Sequence, residues 1–321
     1  MSQYEEIDVS KTKTYPIKER KNKVGLEDFA KVCQADASVG VWLSSLPRIL
    51  AGEDLRAVIA AVVRAKERGK PVIFMMGSHV IKCGLSPIII DLLERGILTA
   101  VAMNGSGAIH DFEIGMWGAT SEDVSENIEN GTFGMAEETG SLINEIVASA
   151  AREGLGFGEA VGKYLSDNAA PHCDVSLLAS CYRLEVPVTV HVAIGTDIIH
   201  QHPKTDGAAV GETTYRDFKI LTRVVSELGE GGVILNVGSA VVLPEVFLKA
   251  FNLARNVGHP VKNFTTANFD MIQHYRPRVN VVQRPTQSSG QGYALTGHHE
   301  IMIPLLAIGI KSELSKLDSE T

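Results

Sequence analysis

Apolar residues fall along this chain in two alternating patterns. Four segments are predominantly apolar, of strand character: 71–76, 98–103, 186–194 and 233–237. Unbroken Val/Ile-rich runs, as opposed to alternating ones, mark strands buried on both faces of a sheet. Each run ends in glycine followed by Ser or Thr: Gly77-Ser78, Gly105-Ser106 after Asn104, Gly195-Thr196 and Gly238-Ser239. Between them lie segments with apolar residues at helical spacing. The clearest is 53–68, where Leu55, Val58, Ile59, Val62 and Val63 share one face and Gly69 supplies the stop. Helices are also predicted over 26–34, 87–95, 121–130, 134–153, 157–165, 175–184, 214–228, 244–255 and 300–316, with shorter strands at 261–265 and 279–283. Strand and helix in alternation predict an α/β fold: a mainly parallel sheet, right-handed crossovers and helices on both faces. Small flexible loops after such strands are where open α/β sheets bind ligands.

At 321 residues, 45% hydrophobic and 21% charged, the composition is that of an ordinary globular protein. The preferred division is a polar N-terminal arm at 1–24 and one domain at 25–321, with a helical cap near 121–168. A formal net charge of -8 and the lack of a basic patch exclude nucleic acid as the expected partner. The acidic start and the absence of a long apolar stretch predict neither a signal peptide nor a membrane span. Cys33, Cys83, Cys173 and Cys181 form no CxxC pair, so reduced thiols and a cytoplasmic location are expected.

The candidate chemistry lies just after the strands. Gly105-Ser106-Gly107 can let backbone amides approach a phosphate, although His110 breaks the G-x-G-x-x-G spacing; the alternative is a tight strand-to-helix turn. His110, with Asp111 and Glu113, suits general acid–base work or a hydrogen-bonded loop histidine. Asp197, His200 and His202 can orient a polar substrate or, with His110 and Asp111, ligate a metal, but they match no standard zinc spacing. Lys82 reads as an anion contact or an exposed lysine. Thr266 and Asp270 fall in a segment, 265–270, read as a polar loop suited to ribose or amine groups. His298 and His299 precede the last helix. No G-x-S-x-G elbow and no P-loop occur.

In this order the motifs resemble the deoxyhypusine synthase family, over about 77–300. The segment 175–197 is the closest match: a helix, then Val186-Pro187-Val188, then a strand ending in Thr196-Asp197. Residues 77–87, 104–110, 232–242 and 265–270 resemble the family's glycine and Thr-Ala loops. The resemblance implies a Rossmann-like, doubly wound fold, NAD, a spermidine-type amine substrate and a homotetramer with active sites between subunits. The family's catalytic lysine follows Trp-Gly, and the matching place here reads Thr296-Gly297-His298. Imidazole cannot form a Schiff base, so the scaffold is expected with altered chemistry.

The leading expectation is an NAD-binding, deoxyhypusine-synthase-like enzyme acting as transferase or oxidoreductase on a small polar or amine substrate. Gly77, Ser78, Gly105, Ser106, Thr266 and Asp270 would line the cofactor. Asp197 would hold a cationic group, and His110 and His298 would transfer protons. The rival expectations are a metal-dependent hydrolase at His110, Asp111, Asp197, His200 and His202, and a non-catalytic ligand-binding protein.

Overall fold

The computed structural model describes residues 2–320, with side chains through Leu317. Six parallel strands, β1 (Val72–Met76), β2 (Ala100–Asn104), β3 (Val188–His191), β4 (Val233–Val237), β5 (Thr265–Asp270) and β6 (Gln291–Thr296), form one sheet in the order β3-β2-β1-β4-β5-β6. This is the Rossmann-like arrangement, and the strand order reverses between β1 and β4. The helices are α1 (Val39–Ser45), α2 (Leu50–Glu67), α3 (His79–Lys82), α4 (Ser86–Glu94), α5 (Gly105–Trp117) and α6 (Val124–Ile128). They continue as α7 (Glu137–Glu153), α8 (Phe157–Asp167), α9 (Leu177–Arg183), α10 (Gly207–Val225), α11 (Val242–Asn256) and α12 (His299–Glu320).

Side-chain alternation along each strand sorts the core into two layers. Phe74, Met76, Val101, Met103, Leu235 and Val237 pack with α2, α4, α5, α8, α9 and α12. Ile73, Met75, Ala100, Ala102 and Ile234 pack on the other face with Leu221 of α10 and Phe247 and Phe251 of α11. Residues 2–24 are exposed, including Tyr4, Ile7, Val9, Tyr15 and Ile17. Among the described residues, no helix is long and apolar enough to cross a membrane.

Two buried aspartates tie helices to this frame. Asp217 of α10 accepts the Val190 amide at 2.7 Å and the Gly158 amide at 3.0 Å, so it covers the open edge of β3 and anchors the start of α8. Thr214 completes that edge, accepting from the Val192 amide and donating to the Val190 carbonyl. Asp111 turns away from the ligand side and accepts the Leu177 and Leu178 amides and the Ser176 hydroxyl, capping α9. Burial pushes Asp217 up to about 7 and Asp111 up to about 6.

Several segments differ from the sequence expectation: the predicted helix 26–34 keeps only a 3-10 turn at Leu26–Asp28, and Gly105–Trp117, read as a loop around His110, is helix α5. Residues 265–270 are strand β5, not a loop. Asn268 is paired inside the sheet: Asn236 Nδ2 donates to Asn268 Oδ1 at 2.7 Å, and Asn268 Nδ2 donates to Gln273 Oε1 at 2.8 Å, while the buried Thr266 hydroxyl has no partner. Residues 279–283 lie in a π-helical turn, Pro277–Gln283, with Val281 buried against α11. The sixth strand is instead 291–296, an edge strand whose exposed Gln291, Ala294 and Thr296 hide its character. A predicted turn at Gly105 is absent as well: α5 begins there directly, capped by Asn104, whose Oδ1 accepts the Gly107 amide.

Candidate functional site

The ends of β1, β2 and β3 open into a cleft of about 760 Å³, a size suited to a small molecule. Ser106, His110, Glu113 and Trp117 of α5 form one wall. Glu138 and Thr139 of α7, with Phe133, form another, and Thr196, Asp197 and Ile198 close the end. Lys82 of α3 lines the same space, so the cleft starts just beyond the first turn after β1. The structure therefore brings His110, Ser106 and Asp197 to the lining of one cleft.

Asp197 is 6% exposed, and its Oδ2 has no hydrogen-bond partner. Burial pushes its carboxyl up to about 6, opposed by the Ser106 amide that donates to it. The carboxyl fills the space beside Gly105: a Cβ there would stand 2.0 Å from Asp197 Oδ2. Glycine at 105 is thus what lets this carboxylate reach the start of α5. A buried carboxylate oxygen without a donor is costly, and a cationic ligand group would satisfy it.

His110 lies on the face of α5 that carries Glu113 one turn on. Burial, followed by the nearby Lys82 cation, pushes its imidazole down to about 4, so it is neutral at physiological pH. Its Nδ1 is 2.6 Å from Thr120 Oγ1, and that hydroxyl donates to Glu113 Oε2. Glu113 Oε1 accepts the Thr139 hydroxyl at 3.0 Å. Nothing in the sequence pattern pointed to Thr120 or Thr139; Glu113 was visible only as a carboxylate near His110 after a glycine loop, and the helix that puts the two one turn apart was not predicted.

A second feature sits where the strand order reverses. Gly77 donates to the Val237 carbonyl at 2.9 Å, and a Cβ on Gly77 would stand 2.3 Å from the Gly238 carbonyl oxygen. Gly238 has φ 68°, and a Cβ there would meet the His299 ring at 2.5 Å. His299 is buried and its Nε2 lies 3.2 Å from the Phe269 carbonyl; His79 stands 5.9 Å from it, centroid to centroid. The two glycines are thus needed for packing within the protein, the space beside Gly77 being filled by the Gly238 carbonyl and that beside Gly238 by His299; Ser78 and Ser239 follow them where the strand order reverses, the place at which such sheets bind ligands. The start of α5 fits a dinucleotide less well, because Asn104 and Asp197 already occupy its Gly107 and Ser106 amides.

The remaining sequence candidates are dispersed. Asp270 ends β5, at the ligand side of the sheet. Thr266 is fully buried and pairs with Ile234 in the early half of the strands, away from the cleft, because 265–270 is a strand. His298 is exposed, its imidazole 3.8 Å from Glu300, while its neighbour His299 is the histidine buried at the switch point. His200 Nδ1 accepts the Gly195 and Asp197 amides, and His202 Nδ1 accepts the Lys204 amide. With Asp111 spent on α9, the proposed metal ligands do not converge. Among the described residues, no group of three or more His, Cys, Asp or Glu side chains is placed to hold a metal ion.

No family model matches the sequence, and no curated protein matches it. Solved structures do. A conserved protein from Methanococcus maripaludis S2, provisionally named LOR/SDH, is 12% identical with a TM-score of 0.52, over 83% of this chain and 71% of that one. AgrE in ternary complex with ornithine and NAD+ is 15% identical with a TM-score of 0.53, over 84% of this chain. The chain spans only 35% of AgrE. A protein from Entamoeba histolytica provisionally named deoxyhypusine synthase is 10% identical with a TM-score of 0.42, over 82% of this chain and 88% of that one. At these identities the likeness is one of fold.

Proposed function

We propose that this chain is an NAD-binding enzyme, deoxyhypusine-synthase-like in scaffold, that acts on a small amine-bearing molecule by transferase or oxidoreductase chemistry. The observation that carries the reading is the buried Asp197 carboxylate, its Oδ2 unpaired, lining the same cleft as a neutral His110. The Rossmann-like strand order, with its reversal between β1 and β4, supports the cofactor. That AgrE, similar in fold, was solved with ornithine and NAD+ supports the pairing of an amine with that cofactor.

NAD, when bound, supplies a hydride acceptor. The chain's own residues do the rest. Gly77, Ser78, Gly238 and Ser239 admit the dinucleotide to the backbone, with Asp270 at the adjoining strand end. Asp197 pairs with the substrate ammonium and fixes its position, a charge-assisted contact stronger than a neutral hydrogen bond. His110, held neutral, takes a proton from the bound molecule. Trp117 and Phe133 exclude water from that space.

Calorimetric titration tests this. NAD+ is expected to bind, and spermidine, 1,4-diaminobutane or ornithine to bind the NAD-loaded protein. No heat with NAD+ or NADH up to millimolar concentration would remove the cofactor from the reading. Equal affinity for amines and for uncharged analogues would remove the amine.

A further inference from the structure

We propose that Thr120 is a positioning residue: held by Glu113 and Thr139, it fixes His110 as its Nδ1–H tautomer and leaves Nε2 as the proton acceptor of the cleft. This deepens the reading of the cleft as an enzyme site, and its test needs neither cofactor nor substrate.

The number of hydrogens available sets the direction of each bond. A threonine hydroxyl has one hydrogen to donate. Glu113 accepts at both oxygens, and its Oε2 takes the Thr120 hydroxyl hydrogen. The Thr120 oxygen therefore faces His110 Nδ1, 2.6 Å away, with a lone pair, so Nδ1 must supply the hydrogen of that bond. A neutral imidazole has one N–H, and the lone pair is left on Nε2. Burial keeps the ring neutral, as does the Lys82 cation. The opposite polarity would turn the Thr120 hydroxyl away from the Glu113 oxygen beside it.

The rest of the arrangement holds the relay in place. Glu113 Oε1 accepts from Thr139 of α7, so both carboxylate oxygens are engaged and the relay is anchored on a second helix. The chain leaves α5 through Gly118 at φ 70° and reaches Ser121 at φ 71°, a left-handed conformation that costs a non-glycine residue on the order of 1 kcal/mol. That reversal brings residue 120 back over residue 110. Strain stored beside a hydroxyl that reaches a buried histidine is what a positioning turn requires. The logic is that of a carboxylate orienting a catalytic imidazole, with one hydroxyl interposed.

Long-range proton–nitrogen NMR on protein labelled with nitrogen-15 at histidine reads the tautomer directly. The His110 signals are identified by their loss in His110→Phe. At pH 7 the wild type is expected to show a protonated Nδ1 and an unprotonated Nε2. Thr120→Val, which keeps the shape and removes the hydroxyl, is expected to shift the ring towards the Nε2–H form that free histidine favours. Thr120→Ser is expected to retain Nδ1–H. A wild-type ring protonated at Nε2 overturns the proposal, as does a folded Thr120→Val that still shows Nδ1–H. If Thr120→Val does not fold, the wild-type and Thr120→Ser spectra decide: Nδ1–H in both supports the relay, and Nε2–H in either overturns it. Failure of NAD+ or amines to bind would remove the functional reading and leave this spectrum unchanged.

Discussion

Asp197→Asn is expected to make the protein more stable and to abolish its grip on amines. The folded-state carboxyl titrates at about 6, above the ordinary aspartate value of 3.8, mainly because it is buried. A raised carboxyl favours the folded state while it is protonated, below about pH 4, and that contribution is lost as pH rises through about 6. At pH 7.5 the ionised group therefore costs the fold up to about 3 kcal/mol, since each tenfold change in proton affinity is worth about 1.4 kcal/mol. Asparagine removes the charge and keeps the shape. Its melting temperature should exceed that of the wild type by several degrees at pH 7.5, and the gap should close near pH 4. Amine affinity should fall on the order of 100-fold, as expected when one partner of a buried charge pair is lost. In the wild type, amine affinity should weaken as pH drops below about 6, because the carboxyl takes up a proton. Melting curves at the two pH values and calorimetric titration check this. A less stable variant that binds amines normally would contradict the assignment. A residue carried at the expense of stability is what function demands.

Gly77→Ala should damage both the fold and the cofactor site. A Cβ at 77 would stand 2.3 Å from the Gly238 carbonyl oxygen and 2.9 Å from its carbon. Both contacts are to backbone, which cannot rotate away as a side chain can. Gly77 is also tied to β4 through the Val237 carbonyl, so relief requires β1 and β4 to part at the switch point. Overpacking of this kind typically costs about 1–3 kcal/mol, and this site belongs at the top of that range. NAD+ affinity should fall at least about tenfold, since the displaced backbone is the surface proposed to meet the dinucleotide. Gly211→Ala is the control. It lies within α10 with nothing within 4 Å of the added carbon, and should gain stability on the order of 0.5–1 kcal/mol. Urea unfolding of the two variants checks the contrast. Similar behaviour of both would show that the switch point tolerates a side chain.

Most of the frame was legible because burial on both faces writes itself into composition. β1, β2 and β4 fall where apolar runs predict them, and the long helices carry one-sided apolar spacing. The far half of the sheet was harder. β5 holds Thr266, Asn268 and Asp270, which read as a loop until the sheet is seen to pair Asn268 with Asn236 and Gln273. β6 is an edge strand with polar residues facing outward, so no apolar run betrays it. At the site, His110 and Asp197 were visible as titratable residues just after strands. Their meeting in one cleft was not, because it depends on which strand ends adjoin. Asp111 was read with His110 for its neighbourhood in sequence, yet it lies on another face of the helix. Of the two histidines at 298 and 299, a helix start gave no sign of which would turn inward. Thr120 reaches His110 only through a left-handed turn that local pattern does not announce.

The most direct test of the central claim is a crystal structure of the protein with NAD+ and 1,4-diaminobutane. The expected result is a dinucleotide lying across Gly77 and Gly238, with an amine nitrogen about 2.8 Å from Asp197 Oδ2, the length of a charge-assisted hydrogen bond. A dinucleotide bound away from the β1–β4 switch point, or an amine that leaves Asp197 Oδ2 unpaired, would contradict it.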